Sequence, residues 1–329
     1  MPGTSRPLVA YALLAAAGAT VLVLALSSGS THIAPLDMVR ALSGDPGTAE
    51  YRILVHLRMP RVLMAIVAGA SLSVSGAMFQ SLFRNPLSDP YTIGVSGGAA
   101  LGASAGIVLG APFALVAVFA FAGSLAAITL VYGLSRMRGL GPGGIILGGI
   151  SLSFIFSSGV MLIFALARAE MVHKALMWLM GDLSLARYDA LNRMGLFALV
   201  LLGAAFLLHR HLDVISFGGD FARSLGVSAA DTRSVFWIGG LLAALAVALA
   251  GVIGFVGLIV PHAARALTGP VHRRLLPVSA LAGAFFLVIC DTIGRTVAVP
   301  YEIPVGVITG FLGGAFFLAL LLRKGRGVG

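Results

Sequence analysis

The chain has 329 residues, 59% of them hydrophobic and only 10% charged, with a mean hydropathy of +1.02 and a net charge of +10. A soluble domain carries about a quarter charged residues, so these values exclude a water-soluble enzyme and predict a polytopic membrane protein. The basic residues fall in short clusters between apolar runs, with no basic stripe or recognition motif, which argues against nucleic acid as a partner and for the charge bias of cytoplasmic loops.

Apolar runs long enough to cross about 30 Å of hydrocarbon lie near 8–28, 61–82, 92–110, 113–135, 144–167, 190–208, 234–252, 275–294 and 303–322, with a shorter run at 253–267. They predict an all-α polytopic membrane protein with about ten transmembrane helices, in a single domain over 1–329. The first run follows Arg6 and could be a signal peptide, but its apolar stretch from Leu8 to Leu26 is long for that role and predicts a retained helix. An even number of helices puts both termini on one side. The larger share of basic residues, including Arg84, Arg136, Arg138, Arg210, Arg223, Arg233, Arg265, Arg273 and Arg274, falls on that same side. The inside bias of positive charge makes it cytoplasmic.

The second run ends in a polar turn with Gln80, Arg84, Asn85 and Asp89. Pro86 and Pro90 each lack an N–H and crowd the preceding turn, so the helix stops and a new one begins beyond them. Gly94, Ser96, Gly97, Gly98, Gly102 and Gly106 then let a neighbouring helix come close. The Gly-rich stretch 139–149 reads as a helix entry. Trp178 reads as an interfacial anchor.

The longest inner segment is about 209–233, and within it Asp213 to Arg233 contains a short helix that stops at Gly226-Val227. Phe221 and Leu225 are four apart and share one face of it. Such a pair suits a groove on a partner protein, or alternatively the bilayer surface. Next, Gly251, Gly254 and Gly257 repeat every three residues and predict a smooth helical face. Pro261 is expected to stop or bend that helix, leaving His262 and Arg265 at the inner surface, with His262 as a structural hydrogen-bond partner. Gly76–Pro86 and Gly251–Pro261 share a ten-residue spacing, a weak sign of an internal repeat.

On the outer side, Arg58, Arg61 and Arg295 run against the inside bias. They either pair locally with Asp291 and Glu302 or receive carboxylates of an acidic partner. Cys290 stands alone in an apolar setting, which predicts a buried, inert thiol. The chain has no GxxxxGK[ST] phosphate loop, no HExxH, and no nucleophile with a base. No catalytic residue, cofactor or metal site is predicted here. If transport is driven by ATP, the ATPase is another chain.

Several of these motifs resemble one family. Gln80, the Arg84-Asn85-Pro86-Leu87-x-Asp89-Pro90 turn, Gly94-Val95-Ser96-x-Gly98-Ala99, Trp178-x-Met180-Gly181, Asp220-x-Ala222-x-x-Leu225-Gly226-Val227, Gly251 to Arg265, and Asp291 to Gly306 are similar to the FecCD permeases. These are ABC importers of iron–siderophores, haem and vitamin B12. The resemblance spans about residues 58 to 322. It departs at Ser88, where the family usually has Ala, and at Ala315, where it usually has Pro.

The resemblance implies a fold like that of the vitamin B12 importer permease. It makes 213–233 a coupling segment in which Asp220, Phe221, Ala222, Arg223, Leu225 and Gly226 meet an ATP-binding subunit. It makes Arg58, Arg61 and Arg295 receptors for glutamates of a binding protein. Changing Arg61 or Arg295 to Glu is then expected to weaken that docking and leave the fold intact. It marks Gln80, Asn85, Pro86, Asp89, Pro261 and His262 as motif or pathway candidates. It implies a second copy of the chain, two ATP-binding subunits that hold ATP and Mg, and a periplasmic or lipoprotein binding protein. The setting is a bacterial or archaeal cytoplasmic (inner) membrane. The cargo expected is an iron chelate, siderophore-bound or haem, with vitamin B12 as the alternative. An ion-coupled secondary carrier is the alternative from another class, with Asp291 as its candidate proton relay.

Overall fold

The computed structural model describes residues 17–29, 31–44, 46–136 and 142–325. Helices joined by turns and short non-helical stretches make up these segments, with no strand among the described residues. In chain order the helices are α1 Ala17–Ser27, α2 Pro35–Ser43, α3 Ala49–Leu82, α4 Val95–Val108, α5 Phe113–Ser135, α6 Pro142–Leu166 and α7 Ala169–Leu179. They continue as α8 Tyr188–Leu207, α9 His209–Ile215, α10 Gly219–Ser224, α11 Ala229–Ala250, α12 Val256–Thr268, α13 His272–Thr296 and α14 Val305–Gly325. A π-helical stretch, Arg52–Arg58, lies within α3.

Among the described residues, six helices are long and apolar enough to cross a membrane: α3, α5, α6, α8, α11 and α13. Three shorter apolar helices, Ala17–Ser27, Val95–Val108 and Val305–Ala319, match other predicted runs. At about 1.5 Å per residue, the 13 residues of α12 fall well short of the hydrocarbon thickness. Among the described residues each predicted run holds a helix, and six of these helices reach full span by length and composition.

The centre of the fold is α3. Its most apolar window is 83% buried, against 72% for α11 and 17% for α6. The reason is visible in its sequence, where small residues from Gly69 to Ala77 let two other helices cross it at backbone contact. A Cβ on Gly69 would lie 2.2 Å from the Gly283 carbonyl oxygen of α13, and one on Gly76 would lie 1.7 Å from that of Gly257 in α12. Gly98 of α4 meets Gly123 of α5 in the same way. This is how apolar helices associate in lipid, where van der Waals approach replaces the hydrophobic drive. Gly76→Ala is accordingly expected to destabilise the fold by about 1–3 kcal/mol through overpacking, read as a lowered denaturation midpoint in detergent. The outermost helix, α6, instead exposes Leu147, Phe154, Ile155, Met161, Leu162 and Leu166. Residues 137–141, at the predicted entry to this helix, lie outside the described residues.

The first helix is part of the core. Ala25 is fully buried in the main apolar cluster with Ala65, Ala68 and Leu249.

The stretch Gly251 to Gly257 departs from the expected smooth helical face. Gly251 ends α11 with φ at +73°, and residues 251–255 are not helical. Phe255 opens α12 in the left-handed region, at φ +69°. Backbone left free at such a break must find partners inside the protein. The Ala250 carbonyl accepts from the Asp182 amide at 3.0 Å, and the Ile253 amide donates to the Tyr91 hydroxyl at 3.2 Å. Pro261 is also not a stop, since α12 runs through it to Thr268. The proposed repeat does not hold either. Gly76–Leu82 is helix leading into a turn, whereas Gly251–Pro261 is a break leading into helix.

Candidate functional site

The family-motif residues form a clamp between two chain breaks. Pro261 has no N–H, so the carbonyl of Gly257, four residues earlier, loses its helical partner. The Gln80 amide donates to that oxygen at 3.4 Å and to the Leu258 carbonyl at 3.2 Å. The Gln80 Oε1 accepts from Arg265 at 2.9 Å. Gln80, Pro261 and Arg265 thus act as one unit joining α3 to α12, and Gln80 is only 3% exposed. Asn85 accepts from the Leu87 amide at 3.0 Å and shapes the turn around Pro86. Asp89 accepts from the Tyr91 amide at 2.8 Å and caps the 3-10 turn Pro90–Ile93. Burial pushes the Asp89 carboxyl up to about 6, against the opposing Tyr91 hydrogen bond. Tyr91 then reaches the break at Ile253. The His262 ring packs edge-on against Phe316 of α14, 6.0 Å away.

Trp178 is not an interfacial anchor. It is 4% exposed and packs with Ala99, Ala103 and Val247. Its carbonyl accepts from the Gly181 amide at 3.1 Å, which closes the turn after α7.

The end of the bundle that carries α9 and α10 presents an apolar ridge. Phe217, Phe221 and Leu225 are 75%, 50% and 59% exposed. The rings of Phe217 and Phe221 stand edge to face, 5.8 Å apart. Ala222, expected among the contacts, lies one step round the helix and faces inward. It is buried with Leu212, Ile215, Val235 and Leu276. Gly226 has φ at +86° and turns the chain so that Val227 returns to the core. Arg223 lines a cleft of about 430 Å³ with Phe83, Tyr132, Arg233 and Phe236. The Asp220 side chain lies outside the described residues.

Behind the ridge runs a hydrogen-bonded chain that no motif signals. Asp213 Oδ1 accepts from the His272 amide at 2.8 Å and contacts His272 Nδ1 at 2.7 Å. His272 Nε2 contacts Ser81 Oγ at 2.6 Å.

At the opposite end of α3, the three arginines are engaged within the chain. Arg58 is 5% exposed and donates to the carbonyls of Leu26, at 2.6 Å, Ser27, at 3.0 Å, and Thr31. Arg295, also 5% exposed, meets Asp291 at 3.0 Å and donates to Ala25 and Ser28. Arg61 bridges Asp291 at 2.9 Å and Glu302 at 2.7 Å. The local-pairing alternative is thus realised in this conformation. Because Arg295→Glu would bury a second carboxylate beside Asp291, it is expected to cost stability as well as docking. The half-exposed Glu302 is the accessible part of this group, whereas the Arg61 side chain is only 12% exposed.

The fold and these two faces define a multi-pass helical membrane protein of the transporter-permease type. The pattern of the FecCD transport family matches residues 15–323, and the chain belongs to that family. The haemin transport permease HmuU of Yersinia pestis is 36% identical over 313 residues, covering 92% of this chain and 93% of that one. The cobalamin import permease BtuC of Halobacterium salinarum is 41% identical over 283 residues, covering 84% and 75%. A solved inward-facing ABC transporter of metal-chelate type superposes with a TM-score of 0.86 at 29% identity, covering 96% of this chain and 99% of that one.

Proposed function

We propose that this chain is the membrane-spanning subunit of an ABC importer that carries a metal chelate into the cytoplasm. Family membership supports the permease role, and the exposed Phe217–Phe221–Leu225 ridge is the observation that carries the coupling role. In this reading the ridge sits in a groove of an ATP-binding subunit, which binds and hydrolyses ATP with Mg. A second copy of the chain completes the pathway. A periplasmic or lipoprotein binding protein delivers the chelate at the outer rim, and its carboxylates reach Arg61 when the Arg61–Glu302 pair opens. The chain crosses the cytoplasmic membrane about ten times, α12 spanning together with the non-helical residues 251–255 that lead into it, with both termini inside.

The cargo is an iron chelate, siderophore-bound or haem. The likeness to the haemin permease supports this, and the likeness to the halobacterial cobalamin permease favours vitamin B12 as the second reading. The secondary-carrier reading loses its main feature, because Asp291 is held between Arg61 and Arg295. Growth of a deletion strain on ferric siderophore, haem, or limiting vitamin B12 tests the cargo. Loss on an iron source alone is expected. Loss on vitamin B12 alone would move the cargo to cobalamin.

A further inference from the structure

We propose that Asp213, His272 and Ser81 form a strut that positions the coupling ridge against the central helices; its role in transport rests on the reading above. The three residues come from three elements. Asp213 lies in α9, four residues before Phe217. His272 is the first residue of α13, and Ser81 is in the last turn of α3. His272 is 2% exposed and Ser81 4%. Asp213 does two things with one oxygen: it accepts the otherwise unpaired first amide of α13 and holds the imidazole Nδ1. The other ring nitrogen then meets Ser81. The ring therefore cannot turn without breaking contacts at both ends.

Beside this polar chain, Leu212 and Ile215 of α9 share an apolar cluster with Met78 of α3 and Leu276 of α13, and Ala222 of α10, on the inward side of the ridge helix, joins it. The same three elements are joined twice, once by packing and once by directed hydrogen bonds. Packing alone would let α9 and α10 slide. The directed bonds fix their position. A push on the ridge is then carried to the inner ends of α3 and α13. Those two helices cross at Gly69 and Gly283 and reach the outer arginine group. A Ser–His–Asp order also suggests hydrolytic chemistry. Here Ser81 lies buried within α3 and also donates to the Ala77 carbonyl at 3.0 Å, so the chain serves position.

The test uses the purified permease in lipid nanodiscs, with Asp213→Ala, His272→Ala, the double variant, and Asp213→Asn. Hydrogen–deuterium exchange is followed at residues 213–228, with 299–304 as the distant control. Each alanine variant is expected to speed exchange at 213–228 about tenfold and leave the control unchanged. The double variant should be no faster than either single one, and Asp213→Asn, which keeps an acceptor, should restore most of the protection. Unchanged exchange, or additive effects in the double variant, would overturn the strut. In cells, the alanine variants should lower ⁵⁵Fe-citrate, haemin or cyanocobalamin uptake at least fivefold at equal membrane abundance. A loosened segment with full uptake would overturn the positioning role. If the unaltered chain takes up none of the three probes, the importer reading falls, and the exchange data still decide the strut.

Discussion

Asp291→Asn is expected to remove most of the folded protein. The carboxylate is 2% exposed and stands between Arg61 and Arg295. Neutralising it leaves two guanidinium groups facing each other, away from water, with only Glu302 at the rim. Breaking a buried pair from one side costs about 3–5 kcal/mol. The loss should extend to α1, because Arg295 and Arg58 hold the carbonyls of Ala25, Leu26, Ser27 and Ser28. Denaturation midpoints in detergent measure it. Asp291→Asn with Arg295→Met should recover part of the stability, since the uncompensated charge is then reduced. A shift below 1 kcal/mol for the single variant would show that water or lipid headgroups reach the cluster.

The second large effect is expected at the ridge. Changing Phe217, Phe221 and Leu225 together to Ser removes its exposed apolar surface without touching Ala222 or Val227, which hold the segment to the core. The variant should fold and reach the membrane at normal levels. Interface energy concentrates in a few aromatic anchors that fill pockets on the partner, so uptake is expected to fall at least tenfold. Full uptake by the triple variant would remove the ridge from the coupling mechanism.

Much of this was readable from residue order. The turn at Asn85–Pro90, the stop at Gly226 and the outward pair Phe221 and Leu225 depend on local chemistry that proline, glycine and helical spacing make explicit. The break at Gly251–Phe255 was not readable, because glycine every third residue serves equally as a helical packing face or as the left-handed corner that ends a helix. Pro261 misled for a related reason. Its stop signal is cancelled by Gln80, 181 positions earlier in the chain, which takes up the freed carbonyl. The outer arginines looked available because sequence shows charge but not burial. Ser81 and His272 gave no signal, being single polar residues 191 positions apart.

The most direct test of the importer reading is accumulation of ⁵⁵Fe-citrate, haemin and cyanocobalamin in cells with and without this chain, under vanadate or under a proton uncoupler that spares ATP. The account predicts that one chelate accumulates only when the chain is present. Vanadate should stop that uptake, and the uncoupler should leave it intact. Uptake that persists in vanadate and collapses with the proton gradient would contradict it.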